Sequence, residues 1–373
     1  MGRLFYCLFI CENFVLIRNS FKILSSPYDR LLIKSIESLR FILFLGIFLF
    51  HSVSSWFSIG WGGVQSFLVI SSFFLTGKLI DLSYEQIKPL ELLKRRTKRI
   101  YPAYLLLVIA STLMFVLYKK EFPNDFIWYL FSAQNFFWSF TGYSSAISTF
   151  TAHTWYITLD IYLFIIWVLL FKVVAREHYK KLCIGAILFA ICYRTISILF
   201  FDNIFLTYTM PWSMLDTFGL GGLLALAVKE DNANKSCLPE IVIGILGIAG
   251  CILISAVSNH YSVLEAYQSF RSASGYANNI VLVNIFLFFS ILTIGLLKYC
   301  LYNRHSLLEN PILVKLGGLS YILYMFHWPI LQCIKHFTDN PALIITTGLF
   351  LSIFVAWMWD KFVESQIRKL LYR

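Results

Sequence analysis

Charge is what this sequence lacks most. Asp, Glu, Lys and Arg together make up 14% of its 373 residues, whereas 58% are hydrophobic and the mean hydropathy is +0.72. A soluble domain carries about a quarter charged residues, so this balance excludes an ordinary soluble domain and equally a charge-rich disordered chain. Cysteine pairing is also missing. The eight cysteines, at 7, 11, 183, 192, 237, 251, 300 and 333, are scattered, with no C-x-x-C pair and no histidine spacing suited to zinc. They read as small membrane-buried hydrophobes, and no metal site is expected; Cys7 and Cys11, four apart, are the pair that acylation would use. No internal repeat or low-complexity tract is present.

What the chain has instead is apolar runs of about 20 residues, the length a helix needs to cross the hydrocarbon core. Ten spans are predicted, at 36–56, 62–80, 100–118, 154–174, 182–201, 213–229, 239–257, 277–297, 314–333 and 341–362. No linker separates them, so one membrane domain over 35–373 follows an N-terminal segment, 1–34. Within that segment residues 4–17 are apolar but short and interrupted by Glu12 and Asn13, which suggests a retained interfacial stretch. Residues 126–139, polar at Gln134 and Asn135, are too short for an eleventh span and fit a re-entrant or interfacial segment on the outer side.

The formal net charge of +11 does not point to nucleic acid, because the basic residues sit in short connections between spans. Arg18, Lys22, Arg30 and Lys34 precede the first span, seven basic residues lie between Lys78 and Arg99, "KVVAREHYKK" follows the fourth span, Arg304 and Lys315 flank the eighth connection, and Arg368, Lys369 and Arg373 end the chain. With ten spans all of these fall on one side, which places both termini in the cytoplasm. The predicted fold class is all-α, a polytopic membrane protein with about ten transmembrane helices.

Ionisable groups inside apolar runs are costly and mark functional sites. "RFILFLGIFLFH" places Arg40 and His51 eleven residues apart, about 16.5 Å of rise and within about 20° of whole turns, so the two share a helix face. Arg40 near a membrane interface is equally suited to snorkelling, and a packing histidine is the plain alternative for His51. "LLKRRTKRIYPAY" reads as a loop with Arg95, Arg96 and Arg99 just before a span and Pro102 in its first turn. Arg96 and Arg99, three apart, suit a phosphate, although such clusters also serve topology and anionic lipid. In "HTWYITLDIYLF" the carboxylate of Asp160 lies inside a span and needs a cation or a proton; Arg194 in the fifth span is one candidate, in a pair that would be structural or catalytic. Asp216 opens the sixth span before "FGLGGLLALA", and "LGGLSYILYMFHWPIL" spaces Tyr324 and His327 one turn apart; interface anchoring would explain the tyrosines and Trp328.

Taken in this order, the Arg40/His51 spacing, "GWGGVQSFLVISSFFLTG", "RRTKRIYP", "HTWYITLDIYLF", "FGLGGLLA" and "LSYILYMFHWP" resemble the acyltransferase-3 family of membrane acyltransferases, from about Ser35 to Phe362. The resemblance implies transfer of an acyl group, usually acetyl from cytoplasmic acetyl-CoA, to a sugar hydroxyl of a bacterial surface polysaccharide (O-antigen, capsule or exopolysaccharide) across the inner membrane. It implies catalytic roles for His51, Arg40 and Asp160, donor binding by Arg96, Arg99 and Arg95, and acceptor-side roles for Tyr324, His327 and Trp155. The partners it implies are the lipid bilayer, acyl-CoA and a glycan acceptor, with no nucleic acid and no metal. Asp160 departs from the glutamate commonest in the family, the run before Arg40 is longer than usual, and no SGNH-type hydrolase-like domain of the kind some members append is expected. The alternatives are acylation of a small lipid-linked or secreted metabolite, a transporter or flippase that uses the same buried charges as an ion path, and a structural partner in glycan assembly.

Overall fold

The structure, a computed structural model, describes residues 27–141, 147–201, 203–269, 279–303 and 307–366. The stretch expected to be interfacial at 4–17, Cys7, Cys11, Arg18, Lys22, Arg304, Arg368, Lys369 and Arg373 lie outside them. No β-strand occurs among the described residues. Nine of their helices are long and apolar enough to cross a membrane, so the architecture is the all-α polytopic one expected.

In chain order the main helices are α1 (Pro27–Ser52), α2 (Gly63–Asp81), α3 (Pro89–Lys119), α4 (Phe126–Leu130), α5 (Gln134–Thr141), α6 (Trp155–Val173), α7 (Tyr179–Phe201), α8 (Leu215–Lys229), α9 (Leu238–Ser258), α10 (Asn279–Tyr302), α11 (Pro311–Gly318), α12 (Ser320–Phe337) and α13 (Pro341–Met358). Two starts are written plainly in the sequence as Asn-Pro. Asn310 accepts from the Ile312 amide at 2.9 Å and Asn340 from the Ala342 amide at 3.0 Å, each with proline in the first turn, where its missing N–H costs nothing.

Two expectations change. The basic stretch read as a loop forms the opening turns of α3, which begins at Pro89, so Pro102 lies inside the helix rather than in its first turn. Proline at the helix start and a run of good helix formers, Leu, Lys and Arg, explain the earlier onset. The ninth span is broken. Residues 311–337 are helical on either side of Leu319, and this stretch is not among the nine apolar enough to cross by composition. At the break α11 lies directly on α1: a Cβ on Gly317 would sit 1.8 Å from the Glu37 carbonyl oxygen, a clash that only glycine avoids.

The segment at 126–139 does not span; it forms the two short helices α4 and α5. Its polar residues are buried as tethers. Gln134 donates to the Thr154 carbonyl at 3.0 Å, and Asn135 donates to the carbonyls of Trp155 at 2.9 Å and Thr209 at 2.8 Å. The polar stripe of α2 is divided among four neighbours: Ser66 meets Thr293 of α10, Ser72 donates to the Phe218 carbonyl of α8, and Ser71 reaches Asp160 of α6 and Arg96 of α3. Cys183, Cys251 and Cys300 are buried as small core residues, while Cys192 and Cys333 lie on exposed helix surfaces.

Asp160 does not pair with Arg194. The fully buried Arg194 of α7 bonds Asp216 of α8 at 2.7 Å, with Nε donating to the Val283 carbonyl at 2.9 Å and Nη1 to that of Ser213. This pair ties α7, α8 and α10 together where both charges are cut off from water, which leaves each dependent on the other. Removing either partner, as Arg194→Met or Asp216→Leu, is expected to lower stability by about 3–5 kcal/mol, and the double variant to lose less than either single one, because no charge is then stranded. Unfolding midpoints of the four proteins in detergent check this.

Candidate active site

Arg40, Phe44, Phe48 and His51 recur every three or four residues on α1 and lie along one face of it. That face meets α12. His51 Nδ1 lies 2.8 Å from His327 Nε2 with the two rings nearly parallel, edge to edge and 5.0 Å apart, while Phe44 packs edge-on to the His327 ring at 5.6 Å and Phe48 lies 6.5 Å from it. The shared face expected from the eleven-residue spacing is thus present, and it is the face that addresses the late histidine.

His327 is fully buried. Its Nδ1 lies 2.6 Å from the Tyr324 carbonyl, one turn back in the same helix. Tyr324 in turn donates its hydroxyl to the His153 carbonyl at 2.5 Å, and His153 Nε2 meets the Met325 carbonyl at 3.0 Å. Three imidazoles from three separate helical segments therefore gather around one turn of α12, with His153 and His327 edge-to-face at 5.4 Å. His153 Nδ1 is buried with no hydrogen-bond partner among the described residues. Trp328, held by its Nε1–H on the Thr149 carbonyl at 2.8 Å, closes the other side of His51 at 4.7 Å. Lys335, two turns beyond His327, donates to the His51 carbonyl at 2.7 Å and so completes the C-terminal end of α1.

At the opposite end of that face Arg40 Nη1 donates to both oxygens of Glu37 at 2.9 Å. Arg96 of α3 grips Asp160 with two guanidinium nitrogens, Nε at 3.1 Å from Oδ2 and Nη2 on Oδ1; Nη2 also donates to Ser71 at 2.8 Å, and the guanidinium lies 4.6 Å over Phe164. Arg95 and Arg99 are exposed. Arg99 stands within electrostatic range of Arg40, Arg96, Glu37 and Glu364, the last on a short π-helical turn, Trp359–Glu364. Tyr156 connects the two ends: its ring packs on Tyr324 at 5.3 Å, and it stands within electrostatic range of Asp160, Arg96 and Arg40.

The structure thus joins His51 to His327 and Tyr324, and Arg96 to Asp160, with Arg40 and Arg99 close by. Trp155 is separate from both groups, its ring packed on Tyr208 at 4.8 Å, and its neighbour Tyr156 takes the place beside Tyr324. Four residues given no site role from sequence belong here: His153, Glu37, Lys335 and Tyr156. Glu37 stands three before Arg40, and Lys335 eight after His327, so both carry a helical-spacing signal. Tyr156, four before Asp160, carries the same signal, and His153, on the short turn before α6, carries none.

An apolar helical bundle with imidazoles at one end of a helix face and arginines at the other is the site of a polytopic membrane protein. The chain belongs to the acyltransferase family whose model, described as an acyltransferase domain (Acyl_transf_3), matches residues 33–359. Among curated proteins it is similar to the O-acetyltransferase OatA of Staphylococcus aureus, in strains NCTC 8325 / PS 47, COL and MRSA252. Each match is 26% identical over 372 residues and covers 94% of this chain and 59% of the relative. The chain therefore spans little more than half the length of these relatives. No solved structure matches it.

The Arg96 pair yields a test of what each arginine does. Asp160→Asn keeps the shape but removes the charge that Arg96 meets, and is expected to lower stability by about 2–3 kcal/mol. Arg95→Ala, at an exposed position, is expected to stay within about 0.5 kcal/mol of the parent. Thermal unfolding of the purified full chain, compared at equal detergent concentration, checks both.

Proposed function

We propose that this chain is a membrane O-acetyltransferase that moves an acetyl group from cytoplasmic acetyl-CoA to a sugar hydroxyl of a bacterial surface polysaccharide on the far side of the inner membrane. The observation that carries this reading is the single face of α1, with Arg40 near one end, His51 at the other and aromatic side chains between. Family membership supports acyl transfer, and the name of the S. aureus relatives supports acetyl and an oxygen acceptor.

The chemistry assigns roles along that face. Acetyl transfer to an alcohol needs a base for the hydroxyl and cations for the charged donor. His51 takes the hydroxyl proton, the oxygen attacks the thioester carbonyl, the carbon–sulfur bond breaks, and the departing thiolate receives the proton as the CoA thiol. Arg99 and Arg95, exposed on the basic side of α3, hold the donor's phosphates as it enters, with Arg40 behind them. Arg96, committed to Asp160 and Ser71, serves mainly to fix α3 against α2 and α6. Tyr324 and His327 line the acceptor end. The long pantetheine arm of the donor bridges the about 16.5 Å between Arg40 and His51.

The test uses surface polysaccharide from the native host: parent, deletion, and deletion complemented with parent or His51→Ala at equal protein level. The O-acetyl methyl signals in the proton NMR spectrum are expected to vanish in the deletion, return with the parent and stay absent with His51→Ala, a loss of about 10²–10⁴ in rate for a missing general base. Signals unchanged in every strain would overturn the surface-glycan acceptor.

A further inference from the structure

The three histidines carry more than proximity, because carbonyl oxygens only accept hydrogen bonds. His327 Nδ1 lies 2.6 Å from the Tyr324 carbonyl, so the proton of a neutral His327 is on Nδ1. A neutral imidazole has one N–H, which leaves His327 Nε2 as an acceptor. His51 Nδ1, 2.8 Å away, must then be the donor. The proton of His51 is thereby fixed on Nδ1, and its Nε2 is a bare lone pair. No carboxylate among the described residues hydrogen-bonds either ring, so nothing there holds a resting imidazolium.

We propose that His327 is a positioning residue that sets the tautomer of His51, through a chain in which His51 Nδ1–H donates to His327 Nε2 and His327 Nδ1–H donates to the Tyr324 carbonyl. The proposal rests on the reading of His51 as the base in acetyl transfer. A base needs an unprotonated nitrogen aimed at the substrate, and an orienting group on the other nitrogen is what supplies it. In the Ser-His-Asp arrangement, an orienter that selects the wrong tautomer costs about 10⁴ in turnover. Here the orienter is a second imidazole, itself fixed by a backbone carbonyl that cannot rotate away. The edge-on Trp328 and the neighbouring Phe50 ring, 4.7 and 5.0 Å from the His51 ring, hinder His51 from turning to exchange its two nitrogens. During transfer His51 Nε2 accepts the hydroxyl proton, the Nδ1–H remains donated to His327, and the Nε2 proton leaves with the thiolate, so the chain ends as it began.

Two variants separate orientation from packing. His327→Phe keeps an aromatic ring against Phe44 and Phe48 but offers His51 no acceptor, and His327→Gln restores a carbonyl oxygen at similar reach. In purified full-length protein labelled with ¹⁵N-histidine and placed in lipid nanodiscs, His51, assigned by its absence from the His51→Ala spectrum, is expected to show a protonated Nδ1 and a bare Nε2. His327→Phe is expected to shift those signals toward the other tautomer, and His327→Gln to preserve them. In host membrane vesicles carrying the endogenous glycan, transfer from radiolabelled acetyl-CoA is expected to fall about 10²–10³-fold in kcat with His327→Phe, with the KM for acetyl-CoA within twofold, and to recover at least tenfold with His327→Gln. A parent spectrum with the His51 proton on Nε2 overturns the proposal, as does equal loss in the two variants or none in His327→Phe. The spectrum reads the tautomer whether or not acetyl is transferred, so failure of the activity alone would count against the acetyltransferase reading and not against this hydrogen-bond order.

Discussion

A guanidinium or carboxylate that enters an apolar helical bundle loses its water, and the loss is tolerable only where a partner of opposite charge already waits. The architecture is arranged around that demand. Arg194 and Asp216 hold α7, α8 and α10; Arg96 and Asp160, with Ser71, hold α3, α6 and α2; Lys298 and Glu240 join α10 and α9 at 2.7 Å; Lys229 and Asp81 join α8 and α2. Each pair connects different helices, so apolar packing that has no preferred register of its own acquires one. Hydrophobic burial does little to order helices within lipid, since lipid tails are as apolar as leucine, and polar contacts of this kind have a larger share in choosing neighbours than in a soluble core.

Against that background Arg40 and Arg99 stand apart from the arginines that join helices. The partner of Arg40, Glu37, is on its own helix, so the pair neutralises a charge without tying α1 to anything. Arg99, exposed and bordered by Arg40 and Arg96 as well as by two carboxylates, likewise makes no ion pair or side-chain hydrogen bond to another helix among the described residues. Cations that hold nothing together are the ones left for an anionic ligand, and both lie on the side of the molecule where α3 carries its basic turns. The sorting of structural from available arginines follows from their partners rather than from their spacing.

How much of this was legible in the sequence depends on the distance over which each signal acts. The apolar runs located the helices well, because lipid requires unbroken apolar helix of a known length, and the Arg40/His51 face followed from the helical repeat alone. The opening turns of α3 were misread as loop because their charge masked a helix already begun at Pro89. Pairings between helices were not legible. His51 and His327 are 276 residues apart, and Arg194, one candidate partner for Asp160 in the sequence, is not the one used: Arg96 stands 64 residues earlier, in the stretch whose charge hides its helix. Trp155 and Tyr156 show the same limit at close range: adjacent in sequence, they point to different neighbourhoods, and only packing decides which one meets Tyr324.

The choice of a carbonyl as the last acceptor in the His51–His327 chain has a physical reason in the same constraint. A carboxylate there would hold an imidazolium more strongly, but would itself be a charge to desolvate next to His327, which is fully buried. The Tyr324 carbonyl is present in any case, and its remaining lone pair accepts the His327 proton without adding charge. A second imidazole then carries that orientation across to another helix, which no side chain of α1 could do for itself. Under the proposed activity the cost is a weaker counter-charge for the imidazolium formed in the transition state, and the gain is a resting imidazole pair that carries no charge of its own, compatible with an apolar surround. Under that activity His51 passes its proton on to the thiolate, so an imidazole pair that need not store the cation can be oriented by neutral hydrogen bonds alone.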